Sequence, residues 1–164
     1  MAFAIMTPAI PVAPAQDAIQ PIPVIQIAQV QPVKSINKYG MDMELEKKIK
    51  EKFGKDGDLM VAIALAESGG SKTNAVGYNC WVNGRSTPCT KESRVNAWSV
   101  DCGTFQVNVK GNKCPEELFD PQENIDRAYK IYRSQGLGAW WAYKNGLYKK
   151  YLDYDSVVTV VDVL

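Results

Sequence analysis

Glu67 is a carboxylate in an unfavourable setting. It closes an eight-residue apolar run, Leu59 to Ala66, and is followed at once by Ser68, Gly69 and Gly70. A run so apolar, introduced by Asp56-Gly57-Asp58, reads as the last turns of a buried helix ended by glycines. There the carboxylate meets the negative end of the helix dipole and a dry core, and both disfavour its ionised form. An acid kept protonated near neutral pH can donate a proton to the leaving oxygen of a glycosidic bond. The plainer alternative is a glutamate that frays into solvent at a helix end.

A second constellation is Ser99-Val100-Asp101-Cys102-Gly103-Thr104-Phe105-Gln106-Val107-Asn108. It combines a carboxylate, a central glycine and two amide side chains. Amides and carboxylates form paired donor and acceptor contacts with sugar hydroxyls and N-acetyl groups, while Trp and Tyr offer flat apolar faces to pyranose rings. On strict strand alternation Asp101 faces away from Gln106 and Asn108. A turn or bulge at Gly103 would bring all three to one cleft. Without it, the stretch is a polar hairpin and nothing more.

What is missing narrows the chemistry further. The chain has no histidine, which removes Ser-His-Asp and Cys-His systems and every imidazole-based zinc site. Its four cysteines, Cys80, Cys89, Cys102 and Cys114, show no C-x2-C spacing, so a metal cluster is not expected and two disulfides are, with an oxidising compartment. Four cysteines allow three connectivities. Cys80–Cys89 with Cys102–Cys114 is the least tangled, and the choice stays open at this point. Net charge is +1 with acidic and basic residues mixed throughout, unlike the basic face of a nucleic-acid binder.

These residues need elements to position them. The chain of 164 residues, 46% apolar, is one domain with room for extra segments. Leu45, Ile49 and Phe53 form a single apolar stripe on a charged helix, and Gly54 to Gly57 a turn before the Glu67 helix. Residues 71–109, rich in Asn, Gly, Ser and Thr, read as short strands and loops held by the disulfides. Asp120-Pro121-Gln122-Glu123 is a capping box with proline at the first helical position. Ile125, Ala128, Tyr129 and Tyr132 supply that helix's buried stripe, and Gly136 ends it. Trp140 to Leu152 reads as a broken helical segment packing back on the core. Trp98, Trp140 and Trp141 are expected in the core, and Trp81 as an exposed sugar contact.

The first 35 residues carry six of the nine prolines, which forbids a membrane-spanning helix there. They read as a degraded or truncated export signal, ending at Ala13-Pro14-Ala15, and an extended polyproline-like linker; a plain disordered tail is the alternative. The expected division is linker or signal remnant over 1–40, a catalytic domain over 41–152 and a tail over 153–164. Within the tail, Val157 to Leu164 is β-prone without an obvious partner.

The order Ala66-Glu67-Ser68, Asn74-Ala75-Val76, then S-x-D-x-G-x-F-Q-V-N resembles the lysozyme-like superfamily, closest to soluble lytic transglycosylases and also to C-type lysozymes. Leu118-Phe119-Asp120-Pro121 with Asn124-Ile125 is similar to the family's "f-D-P-x-x-N-i" helix start. Trp141-Ala142-Tyr143-Lys144-Asn145-Gly146 resembles its "A-x-Y-N-x-G" element, with Lys144 where asparagine is usual. The resemblance spans about residues 56–152. It implies an α+β, predominantly helical lysozyme-like fold with a small disulfide-held β region. It also implies cleavage of the β-1,4 bond between N-acetylmuramic acid and N-acetylglucosamine in peptidoglycan. Glu67 corresponds to the catalytic acid/base and Asp101 to the second carboxylate of C-type lysozymes. Ser68, Gln106, Asn108 and Tyr143 correspond to substrate-binding positions. The inserted loop holding Cys80 and Cys89 lengthens the connection between the two motifs and would reshape the cleft. The transglycosylase pattern is favoured over a lysozyme-type hydrolase using Asp101, with a non-catalytic glycan-binding module as a third reading. The expected partner is a peptidoglycan glycan strand, with no nucleic acid, no membrane segment, no metal and no cofactor. A monomer is expected, exported to the periplasm, cell envelope, medium or a virion.

Overall fold

The structure, a computed structural model, describes residues 35–69, 72–152 and the backbone of 159–160. Of the expected signal remnant or linker over 1–40, residues 1–34 lie outside these residues, as does most of the Val157 to Leu164 run. Within 35–40, Asn37 is buried and donates its amide to Glu46 at 2.9 Å. Thr159–Val160 (β6) of that run pairs antiparallel with Ser35–Ile36 (β1).

Helix α1 (Met43–Phe53) starts where Asp42 accepts the backbone N–H groups of Glu44 and Leu45, and it buries Leu45, Ile49 and Phe53. One short 3-10 turn leads into α2 (Gly57–Ser68). The two helices touch at Gly57, where a Cβ would stand 2.7 Å from the Lys50 Cα, so only glycine allows this approach. Met60 through Leu65 are all buried. An α-helix apolar on every side must be wrapped by the rest of the domain. At roughly 1.5–3 kcal/mol for each large side chain removed from water, this run dominates the core.

The wrapping comes from α3 (Pro121–Gln135), the one-turn α4 (Trp141–Lys144) and a four-stranded antiparallel sheet. Asp120 caps α3 through the N–H groups of Gln122 and Glu123, with Pro121 at its first position. Phe53 is the hub between layers, its ring 5.4–5.6 Å from those of Phe105, Tyr129 and Tyr132. The sheet runs β3 (Arg85–Pro88), β2 (Val76–Val82), β4 (Ser99–Cys102), β5 (Val107–Lys110). Cys80–Cys89 staples the β2–β3 hairpin, and Cys102–Cys114 ties the end of β4 to the loop entering α3. The fold is α+β and predominantly helical, with its β region held by both disulfides.

Two tryptophans depart from expectation. Trp140 is buried and donates its indole N–H to the Phe105 carbonyl at 3.1 Å. Trp98 and Trp141, also expected in the core, are 41% and 61% exposed. Trp98 precedes the regular part of β4 and leans over the inserted hairpin instead of into the helices, bonding Ser86. Trp141 opens α4 about 100° around the helix from Ala142, which takes the buried position. Trp81, at 60%, is exposed as expected.

Candidate active site

Helix α2 ends at Gly69, whose left-handed conformation (φ 68°) closes the last turn on the Leu65 carbonyl. Successive helical residues point about 100° apart, so Glu67 and Ser68 cannot share a face. Ser68 turns inward, buried, and donates its hydroxyl to the Ala64 carbonyl at 2.8 Å. Glu67 turns toward the sheet and α4, half-buried, where its Oε1 accepts the Ala142 backbone N–H at 2.7 Å. Burial pushes the Glu67 carboxyl above the ordinary carboxylate range, and the Asp101 carboxylate pushes it further the same way. The N–H groups of Ala142 and Trp141 and the Lys144 ammonium oppose this without overcoming it.

The β4–β5 hairpin brings in the second carboxylate. Gly103 and Gln106 both adopt left-handed backbone (φ 71° and 48°), tightening the turn so that Asp101 lies directly opposite Asn108 in register. The turn expected at Gly103 is therefore present, and it puts the two side chains on one face. A side chain at residue 103 would overlap Asn124 and the Leu118 carbonyl. For Gln106, a non-glycine, the same backbone region costs on the order of 1 kcal/mol, a strain that characteristically occurs at functional sites. Its Nε2 donates to the carbonyls of Gly103 and Ala75 (2.8 and 3.2 Å). Asp101 accepts one amide on each oxygen: Asn108 Nδ2 on Oδ1 and Asn79 Nδ2 on Oδ2, both at 2.7 Å. Asn108 also donates to the Ser99 hydroxyl.

Glu67, Asp101, Gln106 and Asn108 line one open cleft of about 520 Å³. Trp141 stands on its rim, and Arg127 and Ile131 of α3 form the facing wall. An acid with a raised pKa and a hydrogen-bonded carboxylate thus share a groove with amides and an exposed indole, between a helical layer and a small sheet. Residues 48–142, more than half of the chain, match the family of the lysozyme-like domain. The chain belongs to that family. No curated protein and no solved structure gives a match. Membership carries a general function, the cleavage of glycan related to peptidoglycan.

Not every expected site residue of this lysozyme-like domain reaches the cleft. Ser68 is held within its own helix, as above. Tyr143 stacks on Tyr148, with ring centroids 5.2 Å apart and planes at 20°, and it packs against the core instead of lining the groove. Its neighbour Ala142 supplies the contact to Glu67, through a backbone atom that carries no side-chain signal. Lys144, the departure from the family pattern, is close enough for its charge to act on Glu67.

Three further residues belong to the site beyond those expected from the sequence. Asn79 is a cross-strand donor to Asp101, findable only from the β2–β4 register. Arg127 lies one helical turn after Glu123 on the cleft side of α3. Asn124, buried, accepts the Phe105 N–H and donates to the Cys102 and Leu118 carbonyls, so it pins the hairpin turn to the start of α3. Among the described residues no His, Cys, Asp and Glu cluster could hold a metal ion, and no helix is long and apolar enough to cross a membrane.

Proposed function

We propose that this lysozyme-like domain is a lytic transglycosylase that cuts the β-1,4 bond between N-acetylmuramic acid and N-acetylglucosamine, with Glu67 as both acid and base. The observation that carries this reading is the Glu67 carboxyl, raised by burial and open to the cleft. Because Oε1 already accepts the Ala142 N–H, the proton belongs on Oε2. Oε2–H gives that proton to the glycosidic oxygen as the C1–O bond breaks and positive charge grows on the muramic acid ring. The Asp101 carboxylate, across the groove, stabilises that charge. Glu67, now ionised, takes the proton from the muramic acid's own 6-hydroxyl, whose oxygen bonds to C1. The product is a 1,6-anhydro end, and Glu67 returns to its protonated form.

Hydrolysis with Asp101 as nucleophile is the competing reading, favoured by its place in the same cleft as Glu67. The transglycosylase reading is preferred because both Asp101 oxygens are already held by asparagine amides, which suits a fixed charge better than an attacking group. Gln106, Asn108 and Trp141 contact the sugars, while Ser68 and Tyr143 support the elements that carry Glu67 and the Ala142 N–H. The domain acts as an exported monomer on glycan strands, without metal or cofactor. Residues 1–40 act as signal remnant or linker, 41–152 as the catalytic domain and 153–164 as a tail.

The test is Glu67→Gln incubated with purified peptidoglycan. Release of soluble fragments should disappear while sedimentation with the glycan persists. Undiminished release by the variant would remove Glu67 from the mechanism.

A further inference from the structure

The inserted β2–β3 hairpin carries Trp81, and Trp98, just before β4, leans over it; the cleavage chemistry leaves both unused. Trp81 and Trp98 meet edge to face, with centroids 5.4 Å apart and planes at 77°. Trp98 is oriented by its indole N–H on the Ser86 hydroxyl, and Ser86 is the residue opposite Trp81 in the hairpin. Cys80–Cys89 holds the hairpin one residue away. Both rings remain 60% and 41% exposed, so they are fixed in place yet largely uncovered, which is costly for apolar surface that serves no contact.

Their placement is continuous with the cleft. Asn79 bonds Asp101 across the β2–β4 ladder. Residues two apart on a strand share a face and lie about 7 Å apart, so Trp81 is the next side chain beyond Asn79 on the face of the sheet that bears Asp101. The face reads Asn108, Asp101, Asn79, Trp81, from polar cleft to aromatic edge.

We propose that Trp81 and Trp98 form an outlying sugar subsite that stacks a pyranose ring of the same glycan strand that enters the cleft beside Asp101. The proposal rests on the glycan-cleaving reading for the identity of the strand. An indole face matches the C–H face of a β-linked pyranose. The Ser86 and Asn79 side chains border that face with polar atoms.

The experiment measures binding of soluble glycan strands of increasing length to Glu67→Gln protein, by tryptophan fluorescence and calorimetry. It is repeated with Trp81→Ala, Trp98→Ala and Trp81→Phe added in that background. Affinity should rise with strand length in the parent. Trp81→Ala should abolish that rise, lowering long-strand affinity about tenfold, as loss of one aromatic stacking contact implies. Trp98→Ala should weaken it in the same direction, and Trp81→Phe should restore most of it. An identical length dependence with and without Trp81 would overturn the subsite. Wild-type protein that cuts none of these strands would instead refute the cleavage reading, whatever the tryptophan variants show.

Discussion

Replacing Asn124 with alanine should cost the domain about 3 kcal/mol and loosen the cleft. Asn124 is 1% exposed, and its amide serves three backbone groups at once: the Phe105 N–H at 2.9 Å and the Cys102 and Leu118 carbonyls at 3.0 and 2.9 Å. Alanine leaves all three without their partner in a region sealed by Phe105, Leu118 and Ile125. A buried polar group deprived of its hydrogen bond costs about 1–3 kcal/mol. The lower end of that range, for three groups, gives the stated loss; water entering the vacated space would be the only relief. With a urea m-value of about 1–3 kcal/mol per molar, the unfolding midpoint should fall by about 1–3 M at unchanged slope. The same bonds fix the turn between Asp101 and Gln106, so activity should fall further than the folded fraction does. A variant within about 0.5 kcal/mol of wild type would refute the claim that this one amide ties the hairpin to α3.

Other consequences follow from the same geometry. Burial favours the neutral Glu67 carboxyl, so the folded protein binds that proton more tightly than the unfolded chain does. Stability from this group is therefore full at low pH and declines as pH rises from the ordinary carboxylate range through the raised value. Glu67→Gln should accordingly be more stable than wild type at neutral pH in thermal melts; a less stable variant would contradict the assignment. The basic limb of the activity profile should report the same raised group, and a limb within the ordinary glutamate range, about pH 4.3–4.5 or below, would oppose it. Asp101→Asn should leave residual cleavage, lowered by at most about 10²–10³-fold, if its charge only stabilises the ring, and should abolish it if Asp101 is the nucleophile. Removing Cys102–Cys114 by double alanine substitution should cost about 3 kcal/mol on chain-entropy grounds, read from the urea midpoint, and leave Cys80–Cys89 intact.

Much of the helical framework was legible because its signals are local. The apolar run before Gly69, the Asp120-Pro121 cap and the Leu45, Ile49, Phe53 stripe each lie within a few residues, and each specifies its own element. The pairing of Asp101 with Asn108 was only half legible. Gly103 announced a turn, but the partner residue depends on Gln106 adopting a backbone conformation that its side chain does not advertise. Ser68 shows the limit of carrying a motif over by adjacency, since helical geometry sends it inward when Glu67 faces the cleft. The hydrogen bond from Ala142 and the exposure of Trp98 and Trp141 arise from how distant segments meet. Neither periodicity nor composition contains that information.

The most direct measurement is mass spectrometry of the glycan ends released from purified peptidoglycan in heavy-oxygen water. Transfer to the muramic acid's own 6-hydroxyl consumes no water, so the wild-type protein should yield 1,6-anhydro ends without label, and Glu67→Gln none. Reducing ends carrying heavy oxygen at C1 would contradict it and assign the reaction to hydrolysis.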